Sequence, residues 1–226
     1  MTPQESYIYG LLLADGNLYF SHDKKRKVDN RGRVTLELNE RDKDIILKLC
    51  NVVPGSRMST RTRNTNFKEG YTTWSFVNSQ KSFRDWLVEC GFPKENKTFL
   101  AKPPSCDYSE FDFWRGFIDG DGSLGFIRKD GHPFLSIVTD SNAIKEFYLE
   151  FLLRRYGIKK ICNRNKRDNA YNIMVGNEDA VQLAKDLYLS SDLYLDRKYK
   201  KAVELQSWVR TKQRRLYLSS HINKNE

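Results

Sequence analysis

Gly10-Leu11-Leu12-Leu13-Ala14-Asp15-Gly16-Asn17-Leu18-Tyr19-Phe20 recurs 106 residues later as Gly116-Phe117-Ile118-Asp119-Gly120-Asp121-Gly122-Ser123-Leu124-Gly125-Phe126. The copies share a Gly, an apolar pair, an Asp-Gly step and a Leu-x-Phe ending. Each reads as an apolar helix, a Gly stop, and a strand of period-two alternation.

The likeness continues outward. Leu36 and Leu38 alternate as in a strand, and so do Leu135 and Ile137. Ile45, Leu49 and Val52 then mark a helical stripe at i, i+4, i+7, matched by Ile144, Tyr148 and Phe151. Trp74-Ser75-Phe76 and Tyr171-Asn172-Ile173 are again strand-like. Phe83, Trp86, Leu87 and Cys90 pair with Ala180, Leu183, Ala184 and Leu187 at a constant offset of 97. The predicted fold is α+β: two pseudo-symmetric αββαββα repeats, with helices on one face of antiparallel sheets. Residues 1–102 form the first repeat and 113–215 the second. Residues 103–112 are the linker, with Pro103-Pro104 at its start, and 216–226 form a tail expected to fray.

The chain has 226 residues and a net charge of +10. A hydrophobic fraction of 39% and an aromatic fraction of 13% exclude a disordered chain. No apolar run reaches the roughly 18 residues of a membrane span, and Met1–Glu5 lacks the pattern of a signal peptide, so a protein working inside a cell or organelle, without a membrane partner, is expected. Cys50, Cys90, Cys106 and Cys162 form no CxxC pair and read as free buried thiols. His22, His132 and His221 are isolated, which leaves any catalysis to carboxylates and lysines. The positive charge is segregated: residues 24–34, 57–68, 159–168 and 197–215 together carry +20, leaving −10 elsewhere. Such segregation suits a polyanion, with nucleic acid the first candidate.

Ile8-Tyr9-Gly10-Leu11-Leu12-Leu13-Ala14-Asp15-Gly16 and Trp114-Arg115-Gly116-Phe117-Ile118-Asp119-Gly120-Asp121-Gly122 resemble the paired motifs of LAGLIDADG homing endonucleases. The second copy is the more typical. The first has Leu13 where the family's motif has its earlier Asp. The resemblance covers nearly the whole chain. It implies that the motif helices pack side by side at a pseudo-two-fold axis, where Gly10 and Gly116 let the backbones approach. Asp15 and Asp121 then stand together at two helix C-termini, poor places for an anion because the dipole end is already negative. A hard divalent cation relieves that strain. Oxygen ligands suit Mg²⁺, with Mn²⁺ as a substitute. Family analogy adds the carbonyls of Ala14 and Gly120 as metal ligands, and Lys97 and Lys198 as the basic residues near the scissile phosphates. Asp119 is expected to be structural.

The resemblance also implies that the two sheets form a DNA-binding saddle. Alternation places Arg57, Ser59, Arg61, Arg63 and Thr65 on one strand face, and Lys160, Arg164 and Lys166 on another. With them go Lys24, Lys25, Arg26, Lys27, Arg31 and Arg33 of the long first hairpin, and Arg128 of the second repeat. The implied function is a monomeric, intron-encoded homing endonuclease that cuts both strands of a long pseudo-palindromic DNA site by metal-dependent phosphodiester hydrolysis. Two alternatives keep the fold: a maturase that binds intron RNA, and a silent DNA-binding protein. Protein splicing is not expected, since the chain begins with neither Cys nor Ser and ends without His-Asn.

Overall fold

The computed structural model describes residues 1–21, 31–64 and 69–210. Lys24, Lys25, Arg26, Lys27, Thr65 and the tail lie outside these.

Thr2 opens the first helix, α1 (Pro3–Asp15). Its hydroxyl accepts from the Glu5 N–H at 3.2 Å, and its own N–H donates to Glu5 Oε2 at 2.8 Å. That is a capping box, with Pro3 in the first turn where its missing N–H costs nothing. Every residue from Ser6 to Leu13 is buried. A helix that is apolar on all sides belongs inside the molecule, and α1 lies there.

The first repeat continues with β1 (Gly16–Phe20), β2 (Gly32–Asn39), α2 (Lys43–Val52), β3 (Ser56–Arg63), β4 (Tyr71–Asn78) and α3 (Lys81–Glu89). A single-turn helix, α4 (Lys97–Leu100), follows. The second repeat runs through α5 (Glu110–Asp121), β5 (Gly122–Phe126), β6 (Pro133–Thr139), α6 (Asn142–Tyr156), β7 (Tyr171–Gly176), α7 (Asn177–Tyr188) and α8 (Asp196–Gln206). Among the described residues no helix is long and apolar enough to cross a membrane.

The first sheet is antiparallel in the order β1-β2-β4-β3, and the second is antiparallel in the order β5-β6-β7. In each, alternate residues face the helices. Leu18, Val34, Leu36 and Phe76 are buried in one, and Leu124, Leu135, Ile137, Ile173 and Val175 in the other.

The second repeat lacks the fourth strand expected around Lys160, Arg164 and Lys166. Only Arg164 pairs, as an isolated bridge to Tyr171. The local sequence explains this. Gly157 ends α6 at φ 67°. Asn165 Oδ1 then accepts from the N–H groups of Arg167 and Asp168, and Asn169 sits at φ 56°. Side-chain turns of this kind compete with a sheet ladder. Lys160 and Lys166 are therefore exposed loop residues rather than members of one strand face.

The four cysteines are free. Of the four read as buried from their type, only Cys90 is buried; Cys50 and Cys162 are partly exposed and Cys106 is exposed, its Sγ 3.2 Å from that of Cys90.

Candidate active site

The site grows from the contact between α1 and α5. A Cβ on Gly10 would overlap the Phe113 carbonyl oxygen and come within 3.0 Å of Phe117 N. A Cβ on Gly116 would overlap the Tyr7 carbonyl oxygen and reach Leu11 N at 2.9 Å. Backbone therefore touches backbone at the crossing, reciprocally, and no larger residue fits.

The crossing brings the helix ends together. Asp15 is the last residue of α1 and Asp121 the last of α5. A Cβ on Gly120 would lie 3.2 Å from Asp15 Oδ2, so that carboxylate abuts the end of the opposite helix. Both carboxylates keep exposed surface, yet stand against enough protein to lose much of their hydration. Desolvation pushes the Asp121 carboxyl up to about 6, helped by the negative charge of Asp15 and opposed by Lys97 and Lys198. Asp15 is raised too, again by desolvation, against Lys97, Lys198 and Arg197.

Each helix end is held by a lysine from later in its own repeat. Lys97 opens α4 after Asn96, which adopts φ 49°. Its Nζ donates to the carbonyls of Ala14 at 2.6 Å, Gly16 at 2.5 Å and Leu12 at 3.3 Å. Lys198, in the first turn of α8, donates to the carbonyls of Asp119 at 2.8 Å, Gly122 at 2.9 Å and Ile118. The Ala14 and Asp119 carbonyls are orphan acceptors of the kind a helix C-terminus leaves, Leu12 and Ile118 also accept from the cap N–H groups of Gly16 and Gly122, and a cation there complements the dipole. Lys198 is only 3% exposed, and burial lowers its pKa to about 8. Desolvation lowers Lys97 as well.

Asp119 points away from this cluster. It is 3% exposed and accepts from Tyr7 Oη and Tyr188 Oη, both at 2.7 Å, and from the Leu195 N–H at 2.8 Å. Its neighbour Arg115 is buried beneath Tyr7 and donates to the carbonyls of Leu193 at 2.7 Å and Leu187 at 2.9 Å. Together they fix the start of α8, and so the place of Lys198.

Two acidic residues that the sequence reading did not single out also face the site. Asp140 raises Asp121, and Asp42 raises Asp15. Both occupy the step from the second strand of a repeat into its second helix, a position that aligning the repeats could have exposed. Asp42 is 4% exposed and pairs with Arg197 Nε at 2.6 Å. Asp140, with Ala14, Lys97, Asp121 and Val138, lines a crevice of about 260 Å³.

The donor set fits a hard divalent cation in its chemistry: two desolvated oxyanions of like charge, at helix ends that carry partial negative charge themselves. Among the described residues no group of three or more His, Cys, Asp or Glu side chains could hold a metal. Any further ligands would be carbonyls, water or a substrate oxygen. Of the two carbonyls expected as ligands, that of Ala14 already accepts from Lys97.

The remaining expected DNA contacts are dispersed. Strand pairing places Arg33, Arg57, Ser59, Arg61 and Arg63 on the helix-free face of the first sheet, all exposed. Arg63 is 3.9 Å from Glu37. Arg31 and Arg128 are exposed beside their sheets. Arg164 is committed to the protein, donating to the carbonyl of Asp140 at 2.7 Å and lying over the Tyr171 ring.

Two antiparallel sheets, two crossing helices and a carboxylate at each helix end define a LAGLIDADG fold. Comparison with known proteins agrees. Residues 109–188 match the family model of the LAGLIDADG-like domain. The whole chain is similar to solved structures of LAGLIDADG proteins. The homing endonuclease I-WcaI, bound to its DNA recognition sequence, is 17% identical with a TM-score of 0.63, over 89% of this chain and 86% of its own. The LAGLIDADG homing endonuclease I-GzeII, in complex with a DNA target, is 12% identical with a TM-score of 0.53, over 93% and 99%. I-SmaMI, bound to uncleaved DNA with calcium ions, is 14% identical with a TM-score of 0.52, over 91% and 92%. These identities establish a shared fold. An A-type ATP synthase component from Methanopyrus kandleri is 35% identical over 74 residues, which are 33% of this chain and 7% of that protein. The chain thus matches only a small part of that relative's length.

Proposed function

We propose that the protein is a site-specific endonuclease that cuts both strands of duplex DNA as a monomer, by metal-dependent phosphodiester hydrolysis. One observation carries the reading: Asp15 and Asp121, one from each repeat, meet at the ends of two helices whose crossing admits nothing larger than glycine. Folding stability gains nothing from bringing two desolvated carboxylates together. A bound cation and a phosphodiester give the arrangement a purpose.

Asp15 and Asp121 would hold Mg²⁺, or Mn²⁺ in its place, and the metal would supply Lewis-acid stabilisation of the attacking and leaving oxygens. Asp15 and Asp121 fix where each scissile phosphate sits. Lys97 and Lys198 hold the two helix ends and add positive charge beside the phosphates. Because their ammonium groups already donate to carbonyls, their part is positioning and charge compensation rather than proton transfer. The exposed arginines of the first sheet supply contacts to bases and backbone. The intact pair of aspartates favours cutting over an RNA-binding maturase or a silent DNA binder.

The test is cleavage of a randomised duplex library with Mg²⁺, beside Asp15→Asn and Asp121→Asn. Cuts at one long site, reduced to nicks or lost in the variants, are expected. Tight duplex binding with no cleavage in Mg²⁺ or Mn²⁺ would leave the silent-binder reading in its place.

A further inference from the structure

The two motif copies are alike, but the two open sheet faces are not. Strand pairing sets Ser123 opposite Ser136, Ser136 opposite Met174, Gly125 opposite Phe134, and Val138 opposite Asn172. The helix-free face of the second sheet therefore carries Ser123, Phe134, Ser136, Val138, Asn172 and Met174, of which Ser123, Val138, Asn172 and Met174 are exposed, Phe134 is partly buried and Ser136 is buried. β5, β6 and β7 contain no Asp, Glu, Lys, Arg or His at all. Val138 is 42% exposed and Met174 45%, although an outward strand position is usually polar. The matching face of the first sheet carries Arg33, Glu37, Arg57, Arg61 and Arg63. The second repeat keeps its charge off the sheet, on exposed Arg128, Lys160 and Lys166.

We infer that the two halves of the DNA site are read by different chemistry: the first sheet reads guanine through arginine, and the second selects A·T pairs through Val138, Met174 and Asn172. This rests on the duplex-DNA reading above. Arginine pairs bidentately with guanine O6 and N7 in the major groove. Valine and methionine offer no hydrogen bond. Set against a G·C pair they strand polar base atoms, which costs binding. Against thymine they meet the C5 methyl. Asn172 can add the paired hydrogen bonds that adenine takes. Val138 lines the same crevice as Asp121, so its base pair lies beside the cut, and Asn172 and Met174 on neighbouring β7 read further out. The loop lysines of the second repeat, lying off the sheet, suit phosphates.

The experiment is selection of bound duplexes from a randomised library by the full-length protein. The selection is repeated with Arg57→Ala, whose loss of preference marks the half under the first sheet. The expected site has guanine in that half and an A·T-rich stretch in the other. Replacing thymine by uracil in the second half removes only the methyls and leaves the protein untouched. Affinity should fall about threefold to fourfold for each methyl contacted, while the same exchange in the first half changes little. Met174→Arg should move one position of the second half toward guanine. A selected site whose second half is G·C-rich, or indifferent to uracil, overturns the inference and leaves the endonuclease reading standing. No enrichment of any duplex overturns that reading, and the inference with it.

Discussion

Lys97 Nζ donates to the carbonyl oxygen of Ala14 at 2.6 Å, the residue before the Asp15 carboxylate. Lys198 repeats the relationship on α5 through Asp119 and Gly122. The lysines thus fasten the ends of the helices that carry the acids. Replacing Lys198 with Met keeps the length of the side chain but takes the ammonium donor from the carbonyls of Asp119 and Gly122 at a buried site, which should cost about 2–4 kcal/mol of stability. Lys97→Met, at a less deeply buried position, should cost less. Denaturant unfolding measures both, and equal losses would sink the distinction.

The crossing of α1 and α5 gives a second prediction. Alanine is the better helix former by about 1 kcal/mol, so Gly10→Ala and Gly116→Ala would stabilise an isolated helix. Here the added methyl meets a backbone carbonyl, which cannot swing aside as a side chain would. Overpacking should win, with a net loss of about 1–3 kcal/mol for each variant. A thermal midpoint at or above the parent's would show that the helices can separate freely.

Much of this was legible in the sequence because it rests on repetition and type. Aligning the two copies sets Gly10 against Gly116 and Asp15 against Asp121, and α1, α5, the first sheet and three strands of the second fall where the periodicity puts them. What escaped depends on tertiary contact. α8 is strongly charged, and its apolar stripe of Ala202 and Leu205 is thin. Its start is fixed by Leu195 donating to Asp119, a partner 76 residues away. Asp42 and Asp140 resemble any acid at a helix start until the fold sets them beside the motif aspartates. The strand expected near Arg164 failed because Asn165 and Asn169 form local turns, a signal present in the sequence but outweighed by the repeat pattern.

The acid pair predicts a pH-dependent exchange of stability for function. Burial and Asp15 hold the Asp121 carboxyl at about 6, above the value of about 4 in an unfolded chain. The folded state binds that proton more tightly, so ionisation destabilises it. The penalty is absent below about pH 4, grows as pH rises, and is complete above the folded value. In metal-free buffer Asp121→Asn should therefore raise the melting temperature at pH 8, and the gain should vanish by pH 4. The same variant should lose cleavage of one strand. A melting temperature unchanged at pH 8 would mean that solvent already screens the two charges.

Cys90 and Cys106 are neighbours with opposite exposure, and their reactivity should split accordingly. Burial, then the contact with Cys106, pushes the Cys90 thiol up to about 12. At pH 8 Cys90 therefore stays a thiol, and alkylating agents attack the thiolate. The Cys106 side chain is open to solvent. Iodoacetamide at pH 8 should label Cys106 in the native protein and spare Cys90, as read by peptide mass spectrometry. In Cys106→Ser, Cys90 should stay protected until denaturant is added, because burial, which does not depend on the partner sulfur, is the larger cause. Rapid labelling of Cys90 in that variant would place its protection in the thiol pair instead, and would show that the segment around Cys106 opens readily from the end of α3.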